Sequence, residues 1–476
     1  MPDVSTFLLV TIAVLDATSL TLVVLRPRVV ANTLAWIFAI LAFPGIGALV
    51  YLALVSPRLR RVRWLRRHGK RVVAAEASTA DARRPDALGL EDPDDRSLVV
   101  LMHALTDIAP TRGNRVELLP EDHTAFGRVQ DAIRAAKRSV WAQFYIIQRD
   151  ATGSIFLDAL AECAARGVEV RLLYDALGSA GIDTERLRRI RAAGGDVLAF
   201  QPIGALGRLW AAQLRNHRKV VVVDGERGFT GGMNVGNEYS WRHHKRTGDT
   251  FIDSLLELEG PAVRDLACSF ADDWKVASQS ELELPEARQR SSGADSVVAV
   301  VPSGPLREPN GSRLAFIASI NSARARCWLT TPYFIPDEST TDALVSAVLR
   351  GVDVRVLVPR RSDVRVVQLA ARSYYPLLAQ TGVRIFEYVP AMLHAKTLVV
   401  DGVRSFVGSA NFDVRSFRLN FEIGALVIDR DFARALERRY ERHLEHSAEI
   451  LAKNLEDRPF VRRLLEGTAR LLSPLL

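Results

Sequence analysis

Two stretches of the chain carry the same residue types at the same spacing. Both follow the pattern His-x-Lys-x4-Asp-x6-Gly-Gly/Ser-x-Asn. The defining residues are His217, Lys219, Asp224 and Asn234 in the first copy, and His394, Lys396, Asp401 and Asn411 in the second. A pattern of four side chains that recurs at fixed offsets is far more specific than one short motif. The repetition therefore predicts a duplicated functional site.

The residue types suit transfer of a phosphoryl group. One neutral imidazole can attack phosphorus while a second, protonated imidazole gives its proton to the leaving alcohol. Lysine ammonium groups and asparagine amides can bind the phosphoryl oxygens as negative charge builds on them. A single His-x-Lys before a strand is usually an ordinary polar surface segment, but two complete copies argue against that alternative. This chemistry requires no metal ion or cofactor.

The motifs are expected to lie at the ends of short strands. Residues 219–223 and 396–400 are rich in β-branched side chains and end at Asp-Gly, which predicts a strand followed by a turn. Side chains two residues apart on a strand share a face, so each motif histidine should lie beside its lysine. Short strands at 229–230 and 406–407 then place each asparagine just beyond a strand end.

The sequence around each motif repeats in coarser form. In the first half a predicted strand (139–147), a helix (154–166) and a second strand (167–173) precede the motif. Their counterparts in the second half are residues 327–333, 340–350 and 351–357. Strands that alternate with helices indicate an α/β fold. We therefore expect two similar α/β halves that pack around one shared active site.

Composition is consistent with a folded protein that binds anions. The chain has 476 residues, a formal net charge of +8 and an isoelectric point near 9.6. A basic surface attracts nucleic acid, anionic lipid or phosphorylated substrates. The three cysteines, Cys163, Cys268 and Cys327, are too scattered for a disulfide framework or a Cys-rich zinc site. We expect them to be buried.

Two apolar runs near the N-terminus predict a transmembrane hairpin. Residues 7–25 and 34–55 each approach the roughly 20 residues that a membrane-spanning helix needs. A cleaved signal peptide is the alternative for the first run, but no charged segment precedes it and a second span follows at once. Asp16 should face the partner helix or another protein, since a carboxylate in lipid is costly. Pro44-Gly45 should kink or break the second span.

A strongly basic segment follows the hairpin. Its eight cations, without an acid among them, are Arg58, Arg60, Arg61, Arg63, Arg66, Arg67, Lys70 and Arg71. They outweigh Arg26 and Arg28 in the hairpin loop, so both termini should be cytoplasmic. The segment either binds anionic head groups as well or only sets topology. The predicted divisions are the hairpin (1–56), this basic segment with a polar linker (57–97), and two catalytic halves (98–285 and 286–476).

Two helices are predicted near the C-terminus. Residues 431–449 form a charged amphipathic pattern typical of an outer helix, on which His443 and His446 should be solvated rather than bind metal. Residues 461–472 have an apolar stripe at helical spacing. This stripe either packs on the body, which is the commoner outcome, or lies on the bilayer.

The duplicated motif resembles the signature of the phospholipase D superfamily, HxKxxxxD followed by G-[GS]-x-N. The order of parts is similar to that of bacterial cardiolipin synthases, which have two N-terminal membrane spans, a basic stretch and a two-motif catalytic body. Further similarities, which together extend over nearly the whole chain, are the Arg-Pro-Arg loop, Trp36, Pro44-Gly45, the residues 270–274 and 411–416, and the terminal residues 471–476.

The resemblance implies a two-step transfer of a phosphatidyl group through a phosphatidyl-histidine. With phosphatidylglycerol as donor and acceptor, the products are cardiolipin and glycerol. By analogy, His217 is the nucleophile and His394 the acid that later acts as a base, although the sequence leaves that order open. Glu422 and Asp249, each downstream of a motif, are the acids predicted to orient the histidine of that motif. Asp224 and Asp401, although part of the catalytic motif, are expected to secure the local turn.

Three functional classes remain open from sequence. The first is a phosphatidyltransferase in the bacterial inner membrane with a cytoplasmic catalytic body. The second is a phosphodiesterase that passes the intermediate to water. The third is a membrane scaffold that has lost activity, which two intact motifs disfavour. A nucleic-acid substrate is disfavoured by the hairpin and by the lack of interleaved aromatic and basic residues for base stacking. The sequence does not determine the oligomeric state.

Overall fold

The computed structural model describes most of the chain in two units. The described residues are 4–25, 30–52, 88–121, 123–200, 214–240, 250–286, 293–305 and 310–473. One unit contains residues 1–68 and 203–213, and the other contains residues 69–202 and 214–476. The predicted basic segment, the hairpin loop and Asp249 lie outside the described residues.

The first unit is formed by apolar helices. Helix α1 (Val4–Val24) is followed by α2 (Val30–Ala42), and residues 46–52 are helical again. Within the described ranges, one helix, Thr6–Val24, is long and apolar enough to cross a membrane. The predicted second span is thus interrupted where the sequence suggested, at Pro44-Gly45.

A hydrogen bond from this interruption explains how the first apolar helix accommodates an acidic residue, Asp16. Gly45 has a φ of +75°, a left-handed conformation that glycine adopts without steric penalty. Its N–H donates to Asp16 Oδ1 over 2.9 Å. The backbone N–H at the helix interruption and the Asp16 carboxylate are therefore hydrogen-bonded to each other. The prediction that Asp16 faces the partner helix is confirmed.

The second unit contains the remaining elements. In chain order they are α3 Pro93–Thr106, β1 Thr111–Leu118, α4 His123–Ala135, β2 Ser139–Phe144, α5 Ala151–Ala165, β3 Glu169–Asp175, α6 Thr184–Ala192, β4 Asp196–Phe200, β5 Val220–Val223, β6 Arg227–Gly231, β7 Phe251–Ile252, β8 Leu255–Glu259, α7 Ala262–Ser278, β9 Ser296–Ser303, α8 Gly311–Asn321, β10 Arg326–Thr330, β11 Phe334–Ile335, α9 Glu338–Leu349, β12 Asp353–Pro359, α10 Arg365–Arg372, α11 Tyr375–Gln380, β13 Arg384–Tyr388, β14 Met392–Leu393, β15 Thr397–Val400, β16 Arg404–Gly408, β17 Phe412–Asp413, α12 Val414–Arg418, β18 Glu422–Ile428, α13 Arg430–Leu444, β19 Ser447–Ile450, α14 Ala452–Glu456 and α15 Phe460–Arg470.

The sheet order shows the duplication that the sequence predicted. Fifteen strands of the described residues form one mixed sheet in the order β19-β13-β12-β10-β15-β16-β18-β9-β1-β8-β6-β5-β2-β3-β4. Outward from the β9–β1 pair, the order β9-β18-β16-β15-β10-β12-β13 mirrors β1-β8-β6-β5-β2-β3-β4. Strand β19 is an addition at the edge of the second half. The α/β fold with two repeated halves is therefore confirmed.

Each half has its own apolar core, and the sheet folds back so that the halves meet. Strands β16 and β18 contact β6 and β8. Buried residues of β2, β3 and α5 form the first core, while β10, β12 and α8 contribute to the second. Strands β5 and β15 are buried along their whole length, which explains their continuous β-branched sequence.

Three sequence predictions are corrected by the packing. Helix α3 begins before residue 98, and its Leu98 and Met102 pack into the core of the second half rather than the first. The predicted helix 431–449 ends at Leu444, because residues 447–450 pair as a strand with β13. His443 is buried rather than solvated, with its Nε2 2.9 Å from Glu121.

Candidate active site

Each motif places its histidine and lysine where a central strand begins. His217 and Lys219 lie just before β5, and His394 and Lys396 lie just before β15. Since side chains two positions apart share a face, each lysine lies against its histidine. Lys219 Nζ donates to the His217 carbonyl over 2.6 Å, and Lys396 Nζ donates to the His394 carbonyl.

The main chain brings the two motifs together. His217 N donates to Phe421 O over 2.9 Å, and His217 Nδ1 lies 3.2 Å from the carbonyl of Ser409. In the opposite direction, His394 N donates to Ile252 O over 2.7 Å. Each histidine is therefore fixed by backbone of the other half, and the two motifs line a common site.

A carboxylate from the opposite half binds each imidazole. His217 Nδ1 lies 2.9 Å from Glu422, and His394 Nδ1 lies 2.6 Å from Asp253. From its position in the sequence, Glu422 is predicted to orient His394, the histidine of its own motif. In the structure, Glu422 instead contacts the histidine of the first motif. A β-bridge between Phe421 and Asn216 brings the neighbouring residue, Glu422, to His217.

Asp253 is a site residue that the sequence analysis missed. The predicted acid, Asp249, lies outside the described residues. Glu422 and Asp253 share one feature that could have revealed the second acid, which is their place at or just before the start of strands β18 and β8. The number of residues between the motif asparagine and the acid differs between the two halves. Aligning the halves by spacing alone therefore does not identify Asp253.

Polar neighbours hold both carboxylates in place. Glu422 accepts hydrogen bonds from Ser409 Oγ and from Asn420 Nδ2, the latter over 3.0 Å. Asp253 accepts from Ser254 N over 2.8 Å and forms an ion pair with Lys396 at 3.5 Å. A carboxylate bound in this way keeps the histidine Nδ1 protonated and leaves Nε2 for chemistry.

The electrostatics favour ionised acids beside neutral imidazoles. Burial opposes ionisation of Asp253 and Glu422, but their cationic and imidazole neighbours outweigh it and lower the pKa of both carboxyls. Burial also lowers the pKa of His217, although Glu422 opposes the shift. Burial and the Lys396 charge lower the pKa of His394 to about 4. Both imidazoles are therefore neutral near pH 7 before an anion binds.

Two buried ammonium groups make the site receptive to an anion. Lys219 and Lys396 are each only 1% exposed. Burial lowers the pKa of both, and the Lys396 charge adds to the lowering at Lys219. An incoming phosphodiester would relieve this penalty, because its negative charge stabilises buried cations. The same anion would raise the pKa of the histidines, which allows one of them to carry a proton.

The asparagine of the first motif lies close to this cluster, and that of the second is buried in the turn after its strand. Asn234 Nδ2 donates to the hydroxyl of Tyr239 over 3.0 Å, and that hydroxyl lies 3.4 Å from His394 Nδ1. Asn411 N donates to Ser416 Oγ over 3.2 Å in the turn that follows β16. Both asparagine side chains are buried. Tyr239 was not predicted, because the sequence offers no spacing signal for it.

The motif aspartates lie away from the histidines. Asp224 follows the far end of β5, about 20 Å along the strand from His217 at roughly 3.3 Å per residue. Its carboxylate accepts hydrogen bonds from the backbone N–H groups of residues 137–139. Asp401 does the same for residues 324–326. These contacts tie each turn to the start of the neighbouring strand.

A buried polar network behind His217 explains the residues around the first motif. Asp273 accepts hydrogen bonds from Arg218 Nη1 over 2.9 Å and Asn216 Nδ2 over 2.8 Å. Arg218 also donates to the carbonyls of Glu422 and Ser303 in the second half. This network was not predicted, since the x positions of the motif carry no pattern in the sequence.

The fold and the paired motifs define a two-motif phospholipase D-like protein. The family described as "Cardiolipin synthase, PLD-like domain" matches residues 129–274 and 316–444. The chain is 39% identical to "Cardiolipin synthase A" of Pseudomonas aeruginosa strain LESB58, covering 98% of this chain and 96% of that protein. It is 33% identical to "Cardiolipin synthase" of Geobacillus thermodenitrificans, covering 95% and 90%. The chain belongs to the cardiolipin synthase family.

A solved structure supports the fold. The phosphatidylserine synthase of Haemophilus influenzae superposes with a TM-score of 0.62 and covers 80% of this chain and 100% of its own. At 14% sequence identity, this similarity concerns the architecture alone.

Proposed function

We propose that the protein is a cardiolipin synthase that transfers a phosphatidyl group between two phosphatidylglycerol molecules. The products are cardiolipin and glycerol, and the intermediate is a phosphatidyl-histidine. One observation carries the proposal: two imidazoles, each bound through Nδ1 to a buried carboxylate, share a site with two buried lysines. The relatives named as cardiolipin synthases along nearly the whole chain support the choice of substrate.

In the first step, His217 acts as the nucleophile. Its Nε2 attacks phosphorus, the bond from phosphorus to the head-group glycerol oxygen breaks, and His394 Nε2 gives its proton to that oxygen. Glu422 and Asp253 orient the two rings and stabilise the imidazolium forms. Lys219, Lys396 and the amides of Asn234 and Asn411 bind the phosphoryl oxygens as charge develops.

In the second step, His394 acts as the base. The hydroxyl of the second phosphatidylglycerol loses its proton to His394 Nε2 and attacks the phosphorus. The bond from phosphorus to His217 breaks, and the enzyme returns to its starting state. Because one phosphodiester replaces another, the transfer needs no further energy source.

The product distinguishes transfer from hydrolysis. We expect purified protein supplied with phosphatidylglycerol alone to form cardiolipin and glycerol in equal amounts, measured by mass spectrometry of the lipids and an enzymatic glycerol assay. Phosphatidic acid as the main product would instead identify a phospholipase D-type hydrolase. A protein heated to unfold it provides the control for spontaneous hydrolysis.

We further propose that the protein is a multi-pass protein of the bacterial inner membrane. Residues 7–25 and 34–55 form the hairpin, and residues 57–97 contain the basic segment, the linker and the start of α3. Residues 98–285 and 286–476 contain the duplicated catalytic halves in the cytoplasm, with α3 packed against the second half. The apolar helix Thr6–Val24 and the bond between Asp16 and Gly45 support a helical pair suited to lipid. The cations after the second span support the orientation.

Cysteine labelling tests this topology. All three native cysteines are buried, so an introduced cysteine can be labelled selectively. We expect a membrane-impermeant maleimide to label Val29→Cys, in the hairpin loop, in spheroplasts. Ser280→Cys, on the exposed surface of the body, should react only after permeabilisation. Equal labelling of both before permeabilisation would contradict a cytoplasmic catalytic body.

A further inference from the structure

Helix α15 exposes its large apolar side chains to the surroundings instead of burying them against the body. Its four large apolar residues are exposed, at 74% for Phe460, 65% for Val461, 57% for Leu464 and 53% for Leu465. An amphipathic helix on a soluble body normally turns its apolar stripe toward the core. Here the buried positions are Glu466 and Ala469 instead.

The helix is nevertheless attached firmly, through its polar side. Glu466 is 2% exposed and pairs with Arg462 of its own helix at 3.2 Å and with Arg458. Arg458 Nη1 in turn donates to the Arg372 carbonyl at the end of α10 over 3.4 Å. On the same side, the Arg470 guanidinium lies 4.7 Å from the centre of the Tyr374 ring. The outward stripe is therefore a fixed feature of the fold rather than a helix that has failed to pack.

The stripe continues beyond the helix and is flanked by cations. Leu471 and Leu472 are 79% and 44% exposed and extend the apolar face. Arg462 and Arg463 lie on either side of it, whereas the acid in the helix, Glu466, is buried. A contiguous apolar surface between arginines has the composition of a helix that lies in a membrane interface. The arginines would bind anionic head groups while the stripe enters the acyl region.

The helix is also continuous with the active site. Ala469 packs in one small core with Ile335, Val367 and Val414. Ile335 belongs to β11, which pairs with β17 at Phe412 and Asp413, immediately after the motif residue Asn411. The helix with the exposed apolar stripe therefore packs against the segment that directly follows the second motif.

We propose that α15 (residues 460–470, with Leu471 and Leu472) docks the catalytic body onto an anionic phospholipid bilayer. The occupant of the stripe is lipid, since its charge and apolarity match a membrane of anionic phospholipid. This docking presents the active site to lipids that do not leave the membrane. The proposal rests on the proposed function for its substrate, but membrane contact by α15 can be measured without turnover.

A fluorescent label can report that contact. Full-length protein with Leu465→Cys carries a bimane label and is reconstituted in vesicles of phosphatidylcholine and phosphatidylglycerol with brominated acyl chains. Leu349→Cys, at a 76% exposed leucine that ends α9, is the matched control. We expect bromine to quench the label at 465 at least about twofold more than at 349. Equal quenching by bromine at both sites would overturn the proposal.

Turnover provides a second, independent readout. We expect the double variant Leu464→Glu and Leu465→Glu to lose at least about tenfold in rate in vesicles, because two carboxylates oppose insertion and are repelled by anionic lipid. In detergent-mixed micelles its rate should equal that of the parent, and Leu349→Glu should match the parent in both. An unchanged vesicle rate, or cross-linking of two α15 helices through Leu465→Cys, would overturn lipid as the occupant.

The two readouts separate this proposal from the proposed function. If the label at 465 enters the bilayer but cardiolipin is not formed, the docking surface stands and the assigned activity fails. If cardiolipin forms in micelles while the label stays in water, the activity stands and the docking surface fails.

Discussion

Replacement of His217 or of His394 by alanine is expected to lower cardiolipin formation by about 10⁴-fold or more, since each removes a group that acts in the transition state. The two losses should not add in the double variant, because the imidazoles act as one unit. Cardiolipin is measured by mass spectrometry with phosphatidylglycerol as substrate. His103→Ala, at an exposed histidine of α3, is the control and should retain full activity.

A donor with a good leaving group separates the roles of the two histidines. A phosphatidyl ester of p-nitrophenol needs no acid to release its phenolate, so His394→Ala should release one equivalent in a burst. Without the base, the phosphatidyl group should then remain on His217 Nε2, where peptide mass spectrometry can locate it. A burst from His217→Ala with the label on His394 would reverse the assignment. Retained steady-state activity in either variant would remove the two-histidine mechanism.

The next largest effect is expected from the carboxylates that bind the imidazoles. Glu422→Gln and Asp253→Asn preserve side-chain size but remove the charge that orients and stabilises each ring. We expect each to lower kcat by up to about 10⁴-fold, the loss seen when the acid of a comparable triad is neutralised. KM should change little, since neither carboxylate is proposed to contact the lipid. The exposed Glu283, replaced by glutamine, is the control.

The pH dependence of kcat, which reports the pKa values of the lipid-bound enzyme, gives these variants distinct signatures. Glu422 raises the pKa of His217, so Glu422→Gln should lower that pKa and extend the neutral nucleophile to more acidic pH. The acidic limb then moves to lower pH. Asp253 likewise raises the pKa of His394, so Asp253→Asn should deprotonate the general acid at lower pH. The alkaline limb then moves to lower pH.

The opposite pairing of limbs and variants would exchange the two histidine roles. If neither limb moved in either variant, the carboxylates would have only a structural part, and the drop in kcat would have to come from misfolding. Thermal unfolding of each variant distinguishes those cases. Loss of a buried, ionised partner changes the pKa of the histidine, and the pH profile reports that pKa directly.

Local sequence determined much of this protein. The spacing within each motif placed histidine and lysine on one face of a strand, since strand alternation depends only on neighbouring residues. The interruption at Pro44-Gly45 also followed from local rules, whereas its hydrogen bond to Asp16, 29 residues away, is a tertiary contact. The repetition of the motif, with the strands and helices around it, predicted the duplicated α/β fold that the strand order shows.

Tertiary structure decided how the halves share residues. Glu422 binds the histidine of the other motif, and Asp253 was missed, because a carboxylate partner is selected by which strand ends meet rather than by distance along the chain. The packing of α3 into the second half and the burial of His443 against Glu121 have the same cause. The outward stripe of α15 was also undecided, because helical periodicity reveals an apolar face but does not reveal what that face contacts.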